Sequence, residues 1–197
     1  MDLYIDFDRT LYNTDELYRD MFKVINSYGI TNEIFEKSKD EFFSKPILFN
    51  FIKLTKYICY KYNISYRVLE DLLMILQSGE KYLYDDSYDF LSKLKKNKYN
   101  ISILTYGDMN FQMLKLTPLS ICDIIDDIII SSNYKFEPDL NYKNSIFIDD
   151  NPRDLLGLAD NGAQKVIRIK RENSKYCNEQ ISNKRISSFK NLEDITI

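Results

Sequence analysis

Residues 4–11 read Tyr4-Ile5-Asp6-Phe7-Asp8-Arg9-Thr10-Leu11. An apolar run, Leu3-Tyr4-Ile5, stops at one carboxylate and meets a second two positions later. Taken as a buried strand over residues 3–7, the segment carries acidic groups to where a sheet would desolvate them. Charges buried without partners are strongly unfavourable, so the pair is costly as pure structure. The arrangement makes sense where a metal ion and a reacting group share one site.

Working outward, four later segments share the character of the first: Asn100 to Thr105, Ile128 to Ser131, Ser145 to Ile148 and Val166 to Ile169 are short, apolar and rich in β-branched residues. Helical patterns lie among them over Tyr88 to Lys96, Met109 to Leu116 and Arg153 to Asp160. Strands alternating with helices predict βαβ units and a parallel sheet of about five strands, an α/β fold of Rossmann-like type. Residues 13–84 break the rhythm. Asn13 and Glu16 have capping-box spacing, and Leu17, Met21, Val24, Ile25 and Tyr28 then share one helical face up to Gly29. Further helices are predicted over Asn32 to Phe43, from Pro46 toward Tyr62, and after Ser65 up to Gly79. An insertion of four helices therefore interrupts the α/β domain just after its first strand, leaving 1–12 and 85–197 as the core and 13–84 as the insertion. The tail beyond about residue 170 is polar, with one candidate docking segment, Phe189 to Ile195.

Composition narrows the chemistry. A chain of 197 residues is long enough to bury a core, and 44% apolar with 29% charged residues is ordinary for a globular protein. A net charge of −3 and a pI near 5.2 argue against nucleic acid as a partner held by phosphate neutralisation. There is no histidine, which excludes Ser-His-Asp and Cys-His catalysis and any imidazole base. Proton transfer falls to Asp, Glu, Lys, Tyr or Cys. Cys59, Cys122 and Cys177 are odd in number and widely spaced, with neither a metal-like pair nor a disulfide framework. With no apolar run long enough to span a bilayer and no secretory signal before the first strand, a soluble cytoplasmic protein without a membrane partner is expected.

In an open parallel sheet, ligands bind beyond the carboxyl ends of the strands. The first predicted strand ends in Asp6 and Asp8, the second in Thr105, the third is followed by Lys135, and the fourth ends in Asp149-Asp150. Acids, a hydroxyl and an amine suit a phosphate ester together with Mg²⁺, a hard cation that takes carboxylates, phosphate oxygens and water.

Over nearly its whole length the chain resembles the haloacid dehalogenase-like (HAD) hydrolase superfamily. Tyr4 to Thr10 matches the first motif of that family, an apolar strand followed by Asp-x-Asp-x-Thr. Ile103-Leu104-Thr105 matches the second, Lys135 the third, and Ile146-Phe147-Ile148-Asp149-Asp150 the fourth. The resemblance implies a Mg²⁺-dependent phosphatase that acts on a small-molecule phosphate ester, with 13–84 as an α-helical cap. Asp6 would be the nucleophile that forms an aspartyl-phosphate, and Asp8 the acid that protonates the leaving group and then activates water. Thr105 and Lys135 would hold and neutralise the phosphoryl oxygens. Asp150 would bind Mg²⁺ with Asp6 and the Asp8 main-chain carbonyl, supported by Asp149 and Asp154. A phosphomutase of the same fold and a non-catalytic phospho-ligand-binding protein are the alternatives.

Plainer readings stand beside these. Thr105 is also an ordinary strand residue, and Asn151, Pro152 and Asp154 also form a helix start. Lys143 competes with Lys135, although it falls immediately before a strand. Arg9 stands where the family often has Gly or Asn, and the short stretch from Lys135 to Asp149 leaves little room for a helix. Arg19, Lys23 and Lys45 are candidates for substrate contacts from the insertion.

Overall fold

The computed structural model describes residues 1–43 and 48–197. Six parallel strands form one sheet in the order β3-β2-β1-β4-β5-β6: β1 (Asp2–Ile5), β2 (Asn100–Tyr106), β3 (Asp127–Ser131), β4 (Ser145–Asp149), β5 (Lys165–Ile169) and β6 (Ile186–Phe189). This is the doubly wound order, in which the chain reverses direction across the sheet beside β1 and opens a crevice at the strand ends there. In register, Ile5 lies between Ile103 of β2 and Ile148 of β4. These central strands are apolar because they are covered on both faces: Leu3, Ile5, Ile101 and Ile103 have no exposed surface, and every residue of β4 is buried.

Five strands fall where the sequence places them, with ends shifted by one or two residues, and the sixth was not anticipated. β6 is an edge strand of four residues, Ile186-Ser187-Ser188-Phe189, hydrogen-bonded only to β5. With two exposed serines at its centre it carries no long apolar run, so it reads as polar tail. The segment after it turns back onto the domain, burying Leu192 and Ile195. The first strand is also shorter than expected, ending at Ile5 rather than residue 7, although the Asp6 amide still donates to the Ile148 carbonyl at 2.8 Å.

By main-chain contacts the chain divides into two units. The first comprises Met1–Asp15, Tyr82–Tyr106 and Ser120–Ile197: the whole sheet, α5 (Ser87–Lys96) and α7 (Pro152–Asp160). Between Lys135 and β4 it has only a 3₁₀ turn, Tyr142–Asn144. The second comprises Glu16–Lys81 with Gly107–Leu119. It takes most of α1 (Thr14–Ser27), all of α2 (Asn32–Phe42), α3 (Phe51–Tyr62) and α4 (Arg67–Gln77), and also α6 (Met109–Leu116), a helix that the sequence pattern alone assigns to the α/β core.

The helical unit closes on aromatic rings, with Phe35 edge-on to Phe22 and tilted against Phe51 at centroid distances of 4.8 and 5.0 Å. Helix α3 starts at Phe51, where the Asn50 side chain accepts from Lys53 N at 3.0 Å. Its expected start at Pro46 lies outside the described residues. Among the described residues no helix is long and apolar enough to cross a membrane, and all three cysteines are free.

Candidate active site

The crevice beside β1 gathers its groups from five segments of the α/β unit. Asp6 follows β1 directly and is almost wholly buried. Its oxygens are divided between two donors: Oδ1 accepts from Lys135 Nζ at 2.5 Å, and Oδ2 from the Thr10 hydroxyl at 3.1 Å. Lys135 Nζ also donates to Asp149 Oδ2 at 2.7 Å, so one buried ammonium bridges the ends of β1 and β4. Asp154, on the first turn of α7, accepts from the Lys135 amide at 3.1 Å and from Asn151 Nδ2 at 2.7 Å. Asn151 Oδ1 in turn caps α7 by accepting from Arg153 N at 3.1 Å, with Pro152 at the first helical position. The helix-start reading of Asn151-Pro152-Arg153-Asp154 and a site role therefore coexist.

Lys135 is set from behind as well. Phe136 packs against Gly157 of α7 so closely that a Cβ there would lie 2.2 Å from the ring, which requires glycine. The Tyr142 hydroxyl donates to the Phe136 carbonyl at 3.0 Å. Lys143, the competitor from the sequence, is exposed in the 3₁₀ turn.

Asp8 is half-buried and accepts from the Thr14 hydroxyl. Arg9 adopts φ 64°, in the left-handed region where Gly and Asn are at ease, and this explains why those residues suit the position. Its guanidinium grips Asp15 through two nitrogens at 2.7–3.0 Å. Asp6, Asp8, Arg9, Thr105, Lys135 and Asp150 line one cavity of about 120 Å³, which Tyr106, Asn151, Asp154 and Tyr176 complete. That is below the roughly 300–1,000 Å³ of sites that enclose a drug-sized ligand, so the cavity suits a reacting group rather than a whole metabolite. Larger hollows of about 480 and 650 Å³ adjoin Arg171. The chemistry belongs to the small one, because the buried acids and the lysine converge there.

Tyr176 was not anticipated. It comes from the polar tail, where no periodicity marks it. The buried Arg168 of β5 holds that loop by donating to the carbonyls of Tyr176 and Glu179 at 2.7 and 2.8 Å. Of the candidates on the helical insertion, Arg19 and Lys23 are exposed, Lys23 pairs with Asp20 at 2.8 Å, and Lys45 lies outside the described residues.

The electrostatics are one-sided. Burial raises the carboxyl of Asp6, and with Asp149 and Asp8 adding to it against the pull of Lys135, it is pushed up to about 7. Burial likewise raises Asp149 and carries Asp150 well above the usual carboxylate range, with Asp6 and Asp149 adding to the latter. Burial disfavours the charge on Lys135, but Asp149, Asp6 and Asp154 outweigh it and keep the amine protonated. Three buried acids thus share one buried ammonium, and the site is short of positive charge.

The donor set fits a hard divalent cation. Oxygens of Asp6, Asp149 and Asp150 lie within 4.8 Å of one another. Both Asp149 oxygens are engaged, by Lys135 and by the Asn151 amide at 2.8 Å, whereas Asp150 Oδ2 is buried with no hydrogen-bond partner among the described residues. A buried, unpartnered carboxylate oxygen is what a metal ligand looks like without its ion.

The chain as a whole is similar to known proteins. A family sequence model described as haloacid dehalogenase-like hydrolase matches residues 4–167. No curated protein matches the chain in sequence. Among solved structures, a haloacid dehalogenase-like family hydrolase from Xanthomonas campestris is similar at 16% identity and a TM-score of 0.63, over 98% of this chain and 88% of that one. A HAD phosphatase from Thermococcus onnurineus gives 16% and 0.66, over 98% and 94%. An L-2-haloacid dehalogenase gives 12% and 0.62, over 98% and 95%. At these identities the likeness shows the fold. With the family match spanning most of its length, the chain belongs to the haloacid dehalogenase-like hydrolase family.

Proposed function

We propose that the chain is a Mg²⁺-dependent phosphohydrolase that cleaves a small phosphorylated metabolite through an aspartyl-phosphate on Asp6. The observation that supports this best is the orphaned, buried Asp150 Oδ2 close to Asp6, a cation position beside a carboxylate nucleophile. Asp8 favours phosphate esters over carbon–halogen bonds for a separate reason. A halide departs without a proton, whereas an alkoxide needs one, and Asp8 lines the same cavity as Asp6.

Each group then has a task. An Asp6 oxygen attacks phosphorus, the bond from phosphorus to the leaving oxygen breaks, and Asp8 gives that oxygen its proton. Water next attacks the phosphorus of the aspartyl-phosphate while Asp8 takes a proton from it, and inorganic phosphate leaves as Asp6 is restored. Lys135 and the Thr105 hydroxyl stabilise charge on the transferring oxygens, in a pocket already dry enough to make them effective. Asp6, Asp150 and the Asp8 main-chain carbonyl would hold Mg²⁺, with Asp149 and Asp154 fixing the lysine and the loop around it. The ion, when bound, supplies positive charge for the phosphoryl oxygens.

The test is hydrolysis of p-nitrophenyl phosphate by the intact protein. Turnover is expected with Mg²⁺, lost on chelation, restored by adding the metal back, and absent in Asp6→Asn. Turnover undiminished in Asp6→Asn rules out the mechanism.

A further inference from the structure

We propose that Arg171 is a positioning residue for the nucleophile, acting through Thr10, an inference whose catalytic part rests on the reading of Asp6 above. Arg171 lies two residues beyond β5 and is 5% exposed. Its Nε and Nη2 both donate to the main-chain carbonyl of Thr10, at 3.1 and 2.8 Å. The other side of Thr10 faces the reaction: its hydroxyl donates to Asp6 Oδ2. One residue thus carries the arginine on its carbonyl and the nucleophile on its side chain.

The loop needs such a brace. Between Phe7 and Tyr12 the chain folds onto the Phe7 carbonyl, which receives the amides of Thr10, Leu11 and Tyr12 at 3.0–3.3 Å, and the Arg9 amide closes the turn by donating to the Tyr12 carbonyl at 2.7 Å. Within that turn Arg9 holds a positive φ, a conformation a non-glycine residue keeps only when its surroundings over-determine it. The Arg9 pair with Asp15 holds the turn from the chain that follows it. Arg171 holds it from the far end of the sequence.

The guanidinium is itself fixed. Asp86 receives Nη1 and Nη2 at 2.7 and 2.6 Å, and the Tyr84 ring lies 4.0 Å from the guanidinium carbon. Asp86 precedes the first turn of α5, yet its side chain makes no cap bond to that helix. The carboxylate is given instead to Arg171 and to the Leu192 amide at 2.8 Å. With the charge already balanced by Asp86, the two donors on Thr10 are what tie the arginine to the loop. A lysine can keep the ion pair but cannot reproduce a planar fork that serves both acceptors.

The experiment compares Arg171→Lys, Arg171→Ala and Asp86→Asn with the wild type in the full chain, by amide hydrogen exchange and by p-nitrophenyl phosphate turnover. In Arg171→Lys, exchange is expected to quicken at Leu11 and Tyr12 while amides of β2 and β5 keep their protection. Turnover is expected to fall about 100-fold in kcat with little change in KM, the scale of a misplaced reacting group. Guanidinium ion added at non-denaturing concentration restores part of the activity of Arg171→Ala. Asp86→Asn keeps the donors on Thr10, so it lowers the unfolding temperature without an equal loss of kcat. Loop exchange unchanged in Arg171→Lys overturns the proposal. So does a kcat loss that merely tracks unfolding temperature across all three variants. A wild type that does not hydrolyse phosphate esters would count against the proposed function alone, and the exchange measurement would still decide whether Arg171 holds the loop.

Discussion

The two units of this chain are stabilised by different physics. The α/β unit buries charge: Asp6, Lys135, Asp149, Asp150, Arg168 and Arg171 are all nearly inaccessible, and charge-assisted hydrogen bonds of 2.5–2.7 Å join Lys135 and Arg171 to their acids. The helical unit buries rings. Phe22, Phe35 and Phe51 meet at centroid distances of 4.8–5.4 Å, and Tyr18 lies 5.9 Å from Phe51. Its ion pairs, such as Lys39 with Glu36, lie at the surface, and Lys115 of α6 is the buried exception, 5.4 Å from the Phe111 ring. Directional, desolvated bonds fix atoms to a fraction of an ångström and are expensive to maintain, so they mark where atoms must be placed. Aromatic packing is less directional and serves stability. Substitutions in the two units should therefore fail in different ways.

The sharpest test of that contrast is Lys135→Met. It leaves Asp6 and Asp149 without the cation that joins them. Breaking a buried pair by removing one partner costs about 3–5 kcal/mol, and losing one charge-stabilising donor costs about 10²–10³ in kcat. Both losses are expected together, read by urea unfolding and by p-nitrophenyl phosphate turnover. Because the acids then lack positive charge, added Mg²⁺ should recover more stability in the variant than in the wild type. A variant of wild-type activity would show that Lys135 only balances charge.

Much of this site was legible in the sequence because it sits at strand ends. Asp6, Thr105 and Asp149 end or follow strands whose apolar runs are unmistakable, and parallel topology brings those ends together whatever the loops do. Pattern favours Lys135 over Lys143 only in that Lys143 falls immediately before a strand. The structure distinguishes them: Lys135 is buried, its ammonium donates to Asp6 and Asp149 and its amide to Asp154, with Phe136 packed on Gly157 behind it, whereas Lys143 is exposed. Arg168, Arg171 and Tyr176 were illegible for a different reason. They act on main-chain carbonyls or line a cavity from a polar tail, and such contacts leave no periodicity. Helix α6 has a clear helical pattern, but a pattern does not say which unit a helix joins.

In the helical unit, Phe51→Ala is expected to act on stability. Phe51 is fully buried, opens α3 and touches Tyr18, Phe22 and Phe35. Truncating such a ring costs about 3–5 kcal/mol, from lost transfer energy and from the cavity left behind. Thermal unfolding and hydrogen exchange should place the loss in α1, α2 and α3, while β1 and β4 keep their protection. Equal loss of protection in the sheet would mean that the two units unfold as one, and the contrast between them would be structural only at the level of contacts.

The smallest effect concerns a charge that the helical unit does use, Asp108, which caps α6. Its Oδ1 accepts from Phe111 N at 3.0 Å and from Asn50 Nδ2 at 2.8 Å, and its Oδ2 from Lys53 Nζ at 2.7 Å. Asn50 is itself the cap of α3, so the starts of two helices are joined side chain to side chain. Asp108→Ala is expected to cost about 1 kcal/mol, the worth of a cap, because Lys53 is too exposed for the ion pair to add much. Burial raises this carboxyl, but the bonds from Lys53, Asn50 and the Phe111 amide outweigh it and hold it below the usual carboxylate value. A group lowered on folding contributes above its unfolded value and loses that contribution as pH falls through its folded one. The stability gap between wild type and Asp108→Ala should therefore be constant near neutrality and narrow below about pH 4. A gap that stays the same in acid would assign the effect to packing at the helix start, with the carboxylate charge contributing nothing.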